Sequence, residues 1–268
     1  MVLEIIGLLA SLLIGISLGL IGGGGSILTV PVLVYLLGVN PVLATSYSLF
    51  IVGSTSLMGV LPKFRKGLVS IPTAIAFGIP SILAVYATRQ FLVPLIPEHV
   101  FTIGDVVVTK PKLMLLLFAI LMVFASYSLM SKKRQHKRQQ AEWPQTFNYP
   151  MILVQGIIVG IVTGLVGAGG GFIIIPALVL FARLPMKQAV GTSLLIIAAN
   201  SIVGFIGDHG HYDKDLKLMC MVTLLAITGI FIGNGLSHKI PGEKLKRGFG
   251  YFVLVMGLFI IIKEIFFS

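Results

Sequence analysis

The sequence predicts an all-α integral membrane protein built from two inverted-topology repeats, each a Gly-broken helical hairpin followed by three transmembrane helices. Three observations carry that prediction: composition, a duplicated glycine break, and the distribution of basic residues. Hydrophobic residues make up 56% of the chain and charged residues 11%, and the mean hydropathy is +1.03. A soluble domain carries about 25% charged residues, so this chain cannot cover itself with a polar surface. No Asp, Glu, Lys or Arg falls between Ile5 and Pro62 or between Pro150 and Ala182. Such runs exceed the roughly 20 apolar residues that cross the hydrocarbon core.

The glycine break occurs twice. Gly22-Gly23-Gly24-Gly25-Ser26 leads into Ile27-Leu28-Thr29-Val30-Pro31, and Gly167-Ala168-Gly169-Gly170-Gly171 leads into Phe172-Ile173-Ile174-Ile175-Pro176. An offset of 145 positions aligns the two without a gap and also brings Gly15 onto Gly160, Gly19 onto Gly164, Ala44 onto Ala189, Ser48 onto Ser193 and Gly59 onto Gly204. An internal repeat of this kind dictates architecture before any single element is assigned.

Taken in order, residues 3–21 are apolar but start with Glu4 and lack a basic n-region and a small-residue cleavage site, so no cleaved signal peptide is expected. Residues 26–37 form a short helix of about 18 Å at 1.5 Å per residue, too short to span alone. Spans follow at 42–61, 70–88 and 112–131, with a polar excursion at 89–111. A basic linker, Lys132-Lys133-Arg134-Gln135-His136-Lys137-Arg138, runs on towards Pro144. The second half repeats the order: 150–166, a break, 172–182, then 188–207, 217–237 and 247–266. The first repeat is thus 1–131, the linker 132–149 and the second repeat 150–268.

Loop charges orient the spans. With the linker in the cytoplasm, the inner side holds Lys63, Arg65, Lys66, Lys132, Lys133, Arg134, Lys137, Arg138, Arg183, Lys187, Lys239, Lys244, Lys246 and Arg247, which is 14 of the 20 basic residues. Arg89, Lys110, Lys112, Lys214, Lys217 and Lys263 fall outside. This asymmetry obeys the positive-inside rule only if 1–37 begins and ends outside while 150–182 begins and ends inside. The two hairpins, whether re-entrant or fully spanning, then have opposite orientation. The net charge of +11 reads as topology rather than nucleic-acid binding, because no basic stretch sits on a soluble domain.

Inverted repeats with broken helices are a plan of secondary transporters, whose substrates bind near the midplane between the repeats. A glycine run in lipid is tolerated only where its freed backbone faces protein or a water-filled cavity. Short helices starting near Ser26 and Gly171 present N–H groups and the positive end of their dipoles, a setting for an anion. The expected substrate-binding residues are therefore Gly22, Gly23, Gly24, Gly25, Ser26, Gly167, Gly169, Gly170 and Gly171. Polar residues at matching places in the spans, Ser48, Thr192, Ser193 and Asn200, join them as donors to oxyanion oxygens. The alternative for the hydroxyls is a bond to their own helix. Gly15, Gly19, Gly156, Gly160, Gly229 and Gly233 read as close-packing positions.

No carboxylate is expected deep in any span, which favours neutral or anionic cargo over cations. Asp208-His209-Gly210-His211-Tyr212-Asp213 reads as a solvated outer loop rather than a metal site. Cys220, the single cysteine, lies in an apolar run, precludes an intrachain disulfide and reads as a packing residue. An intramembrane enzyme would need a nucleophile and its base, and neither Ser48 nor Ser193 has an embedded partner; no catalytic residues are expected. Neither a cofactor nor a metal is expected. The partners are a small anionic substrate and the lipid bilayer, without nucleic acid, and the oligomeric state stays open.

These residues carry a family resemblance. Gly19-Leu20-Ile21-Gly22-Gly23-Gly24-Gly25 with Pro31, Gly164-Leu165-Val166-Gly167-Ala168-Gly169-Gly170-Gly171 with Pro176, and Ala189-Val190-Gly191-Thr192-Ser193 resemble the sulfite exporter TauE/SafE family of membrane transporters. The resemblance extends over essentially the whole chain. Ala44-Thr45-Ser46-Tyr47-Ser48 departs from the Gly-Thr-Ser form of the second half. The resemblance implies transport of small sulfur oxyanions or organosulfonates, such as sulfite or sulfoacetate, across the bacterial inner membrane. An anion channel, or an importer of another small organic anion, is the alternative.

Overall fold

The computed structural model describes residues 2–103, 106–130, 149–180, 182–208, 215–236 and 242–266. The expected basic linker therefore lies outside the described residues, apart from Tyr149. Helix α1 (Val2–Ile21) ends at Gly22 and is followed by a 3₁₀ segment (Gly23–Leu28), a single α-turn, α2 (Thr29–Pro31), and a π-turn (Val32–Leu36). Next come α3 (Pro41–Arg65), α4 (Ile71–Ala87), a second π-turn (Thr88–Leu92), α5 (Val93–Leu95) and α6 (Lys110–Met130). The second half comprises α7 (Tyr149–Val166), α8 (Gly171–Leu180), α9 (Met186–Ile206), α10 (Leu216–Leu236) and α11 (Gly242–Phe266). Among the described residues, five stretches are long and apolar enough to cross a membrane: Pro41–Arg65, Ile71–Leu95, Lys110–Tyr127, Met186–Ile206 and Leu216–Leu236.

Local chemistry explains several boundaries. Asn40 caps α3 by accepting from the Val42 N–H at 3.0 Å, and Pro41 occupies the first turn, where its missing N–H costs nothing. The Gly167 N–H reaches the Thr163 carbonyl at 2.8 Å and closes α7. At the start of α4 the Ser70 N–H donates to the Thr192 Oγ1 of α9 at 2.9 Å, tying two spans together.

Two segments depart from expectation. The short helix expected at 26–37 is a composite of 3₁₀, α and π turns, with Pro31 at the point where a backbone donor is missing. The polar excursion expected at 89–111 is largely ordered structure. Phe91-Leu92-Val93 prolong the fourth helix past Arg89, and strands β1 (His99–Ile103) and β2 (Val106–Thr109) then pair antiparallel, Ile103 opposite Val106. Lys110, expected in the loop, and Lys112, expected to begin the span, both lie in the first turn of α6 and are buried.

Glycine contacts define how the helices meet. Helix α1 runs parallel to α10: a Cβ on Gly15 would overlap the Ala226 carbonyl, and one on Gly19 would sit 2.7 Å from the Asn234 nitrogen. Helix α7 likewise runs parallel to α4, with Gly156 against Phe77, Gly160 against Ser81 and Gly164 against Thr88. Such small-residue seams let membrane helices pack backbone to backbone, where lipid supplies no hydrophobic drive. Helices α3 and α9 cross antiparallel through Gly53 against Ser201 and Gly204 against Leu49. The largest core cluster includes Ile14, Leu18, Ile27, Phe118, Phe172 and Ile230, drawn from both halves of the chain. Leu83, Phe124, Leu224 and Val255 point outward, as expected of a surface bathed in lipid. Cys220 is also exposed, so the packing role expected for it is replaced by a place on the outward face of α10.

Candidate functional site

The two glycine breaks meet. A Cβ on Gly171, the first residue of α8, would stand 2.6 Å from the Gly23 carbonyl carbon and closer still to the Gly23 Cα and oxygen. The contact is therefore backbone on backbone, and glycine is required on both sides. The second break turns through left-handed conformations at Gly167, Gly169 and Gly170, with φ of 73°, 65° and 67°, which side chains beyond glycine resist. In the first break only Gly22 is left-handed, at 77°, because Gly23, Gly24 and Gly25 already belong to the 3₁₀ segment.

Helices α3 and α9 wall this junction. Gly22 faces Val190, Gly23 faces Ile197, Gly169 faces Val52 and Ser201, and Gly167 faces Thr45. The expected hydroxyl donors behave differently from one another. Ser26 Oγ donates to the Gly23 carbonyl at 2.8 Å and Ser193 Oγ to the Val190 carbonyl at 2.9 Å, so both bond their own helix. Thr192 Oγ1 accepts from Ser70 and serves as an interhelical tether. Asn200 Nδ2 donates to Ser81 Oγ at 2.7 Å, while its Oδ1 is buried without a partner. Ser48 Oγ is buried and unpartnered, as are Thr55, Ser56, Thr163 and Ser201, which the sequence did not single out as site residues. Buried polar atoms are normally paired; of these free hydroxyls, Ser201 faces Gly169 and Thr163 faces Gly170 at the glycine junction.

Arg89 corrects the sequence reading most. Expected in an outer loop, it is 1% exposed and sits in the π-turn that ends the fourth helix. Its Nη1 donates to Thr45 Oγ1 at 3.0 Å and pairs with Asp208 Oδ2 at 3.4 Å. The same Asp208 oxygen accepts from Ser46 Oγ. Asp208, two residues past the end of α9, is thus turned inward rather than solvated, and forms an ion pair with Arg89 at that end of the helix. His209 to Asp213 lie outside the described residues. A signal for Arg89 was available: Phe91-Leu92-Val93 resume the apolar run, and the 145-residue offset places Arg89 on Asn234, within a span. Among the described residues, no group of three or more His, Cys, Asp or Glu side chains could hold a metal ion.

A bundle of apolar helices, with five crossing-length stretches among the described residues, defines a multi-pass membrane protein. Comparison with known proteins gives the family: the sulfite exporter TauE/SafE profile matches residues 7–260, and the chain belongs to that family of membrane transporters rather than to any enzyme class. A probable membrane transporter protein of Xylella fastidiosa (strain 9a5c) is 30% identical over 254 residues, covering 93% of this chain and 91% of the relative. The probable membrane transporter protein YdhB of Bacillus subtilis (strain 168) is 25% identical, covering 95% of this chain and 98% of its own length. The probable membrane transporter protein MJ0441 of Methanocaldococcus jannaschii is 27% identical, with 95% and 94% covered. No solved structure matches the chain.

Proposed function

We propose that the protein is a secondary transporter of small anions, sulfur oxyanions or organosulfonates such as sulfite or sulfoacetate, working by alternating access across the bacterial inner membrane. The observation that carries this reading is the Gly23–Gly171 backbone contact, which joins two helix breaks from opposite halves of the chain. Substrate sites of inverted-repeat transporters lie where such broken helices converge. The repeats are 1–131 and 150–268, and the contact pattern supports their inverted relation. Gly59 faces Leu194 while Gly204 faces Leu49; Gly15 faces Ala226 while Gly160 faces Ser81; Gly22 faces Val190 while Gly167 faces Thr45. Within each pair of contacts the 145-residue offset exchanges both partners, as a two-fold relation requires.

The chemistry supports an anion. The α8 N-terminus starts at the junction, the free hydroxyls of Ser201 and Thr163 face Gly169 and Gly170, and the embedded guanidinium of Arg89 adjoins Gly167. Alternating access follows from two repeats rocking about α3 and α9, which cross between the breaks.

Purified protein, heated with sulfite, thiosulfate, sulfoacetate, taurine or phosphate, tests the reading. A ligand at 100 times its Kd adds about 2.7 kcal/mol of apparent stability. Sulfite or sulfoacetate is expected to raise the unfolding midpoint and to show saturable counterflow in proteoliposomes. Absence of stabilisation by every anion, together with non-saturable flux, overturns it.

A further inference from the structure

The geometry points to the Nε–Nη2 edge of Arg89 as the group that grips two oxygens of the transported anion, at the Gly167 end of the glycine junction. The inference rests on the anion-transport reading above. Arg89 is one of the largest fully buried side chains in the protein, yet only its Nη1 is engaged, by Thr45 and Asp208. Nε and Nη2 are buried with no hydrogen-bond partner. Three of the five guanidinium N–H bonds therefore point into protein with nothing to accept them. Leaving donors of a charged group unpaired is costly, so the arrangement makes sense where a ligand completes it.

The free edge has a specific shape. Nε–H and one Nη2–H project side by side as a fork that matches two oxygens of a planar or tetrahedral oxyanion. Gly167 lies against that fork: a Cβ there would stand 2.7 Å from Nη2. The missing side chain is what lets the guanidinium reach the junction, which gives the Gly167 position a chemical purpose beyond its turn. Thr45 and Asp208, which engage Nη1, act as positioning residues. Asp208 is in turn fixed by Ser46. The π-turn at Thr88–Leu92 supplies the placement, because a widened turn rotates Arg89 inward where a continued α-helix would set a different angle. The offset counterpart of Arg89 is Asn234, so the second half carries no matching cation at that position.

The test is binding of sulfite and sulfoacetate to purified full-length protein, read by calorimetry and thermal shift, with uncharged dimethyl sulfone as comparator. Wild type is expected to bind both anions and not the sulfone. Arg89→Gln should weaken binding at least tenfold, and Arg89→Lys, which keeps the charge but loses the fork, should fall in between. Asp208→Asn should bind several-fold more tightly, because it removes a competing negative charge. The double variant Arg89→Gln/Asp208→Asn leaves no unmatched buried charge and should insert and fold, yet remain weak. Wild-type affinity in either Arg89→Gln protein overturns the inference while leaving anion transport intact. Equal loss in Asp208→Asn and Arg89→Gln would make the pair structural and also overturn it. Failure of wild type to bind either anion instead removes the underlying reading.

Discussion

Gly171→Ala is the sharpest test of the glycine junction, because it adds one methyl group without changing charge or demanding a left-handed backbone. The new Cβ would lie 2.6 Å from the Gly23 carbonyl carbon, and real Cβ atoms do not come within 3.0 Å of such neighbours. The atoms in the way are backbone and cannot rotate aside, so the two breaks must separate by roughly half an ångström or more. A gap of that size forfeits a quarter to a half of each affected dispersion contact, and overpacking of this kind costs about 1–3 kcal/mol. Helix propensity returns at most about 1 kcal/mol, leaving a net loss of about 0–2 kcal/mol. Affinity should suffer more than stability, because misplacement of binding groups by about 1 Å can cost on the order of 100-fold. The control is Gly257→Ala on α11, whose Cβ would meet Met122, Ala119 and Val123 at 3.1–3.3 Å with an ordinary backbone. It should leave sulfite affinity unchanged. The assay is the unfolding midpoint in detergent with and without sulfite, followed by counterflow in proteoliposomes. A Gly171→Ala protein that is less stable but binds sulfite as wild type does would reduce the junction to a packing contact and refute the reasoning.

Further outcomes are expected elsewhere. In a Cys220→Ser background, a cysteine at Lys133 should be labelled only from the cytoplasm and one at Lys214 only from outside; the reverse pattern would overturn the charge-based topology and the inverted repeat. Arg183 is exposed at the expected cytoplasmic mouth, and Arg183→Gln should weaken apparent sulfite affinity several-fold at low salt. That difference should vanish at about 1 M salt, where the Debye length is about 3 Å; unchanged affinity and salt dependence would leave Arg183 and Lys187 as topology signals alone. Near the C-terminal end of α11, Tyr35 donates to Glu264 at 3.0 Å beside a cleft of about 330 Å³. Tyr35→Phe should cost about 1 kcal/mol of stability without altering sulfite affinity, and a loss of affinity would bring that cleft into the transport path.

The parts of this protein legible in the sequence are those written locally or by repetition. Uncharged runs announce membrane spans, since hydrocarbon admits few exceptions. The glycine breaks stand out because Gly22 to Gly25 and Gly167 to Gly171 interrupt apolar stretches where nothing soluble would be built. Family membership was equally visible, because the same motifs carry it. The fate of individual polar groups was not. Ser193 and Ser26 bond their own helices while Ser48 stays free, and nothing in a Ser-containing apolar run distinguishes these cases. Arg89 shows the reason most plainly. Hydropathy weighs neighbours in the chain, and a basic residue at the end of a span reads as the start of a loop. Its burial depends on Asp208, 119 positions later, on Thr45 from α3 and on the space left by Gly167. A guanidinium can stay in the apolar interior only when a carboxylate and a hydroxyl from distant segments arrive beside it, and that convergence exists only once the two halves have packed.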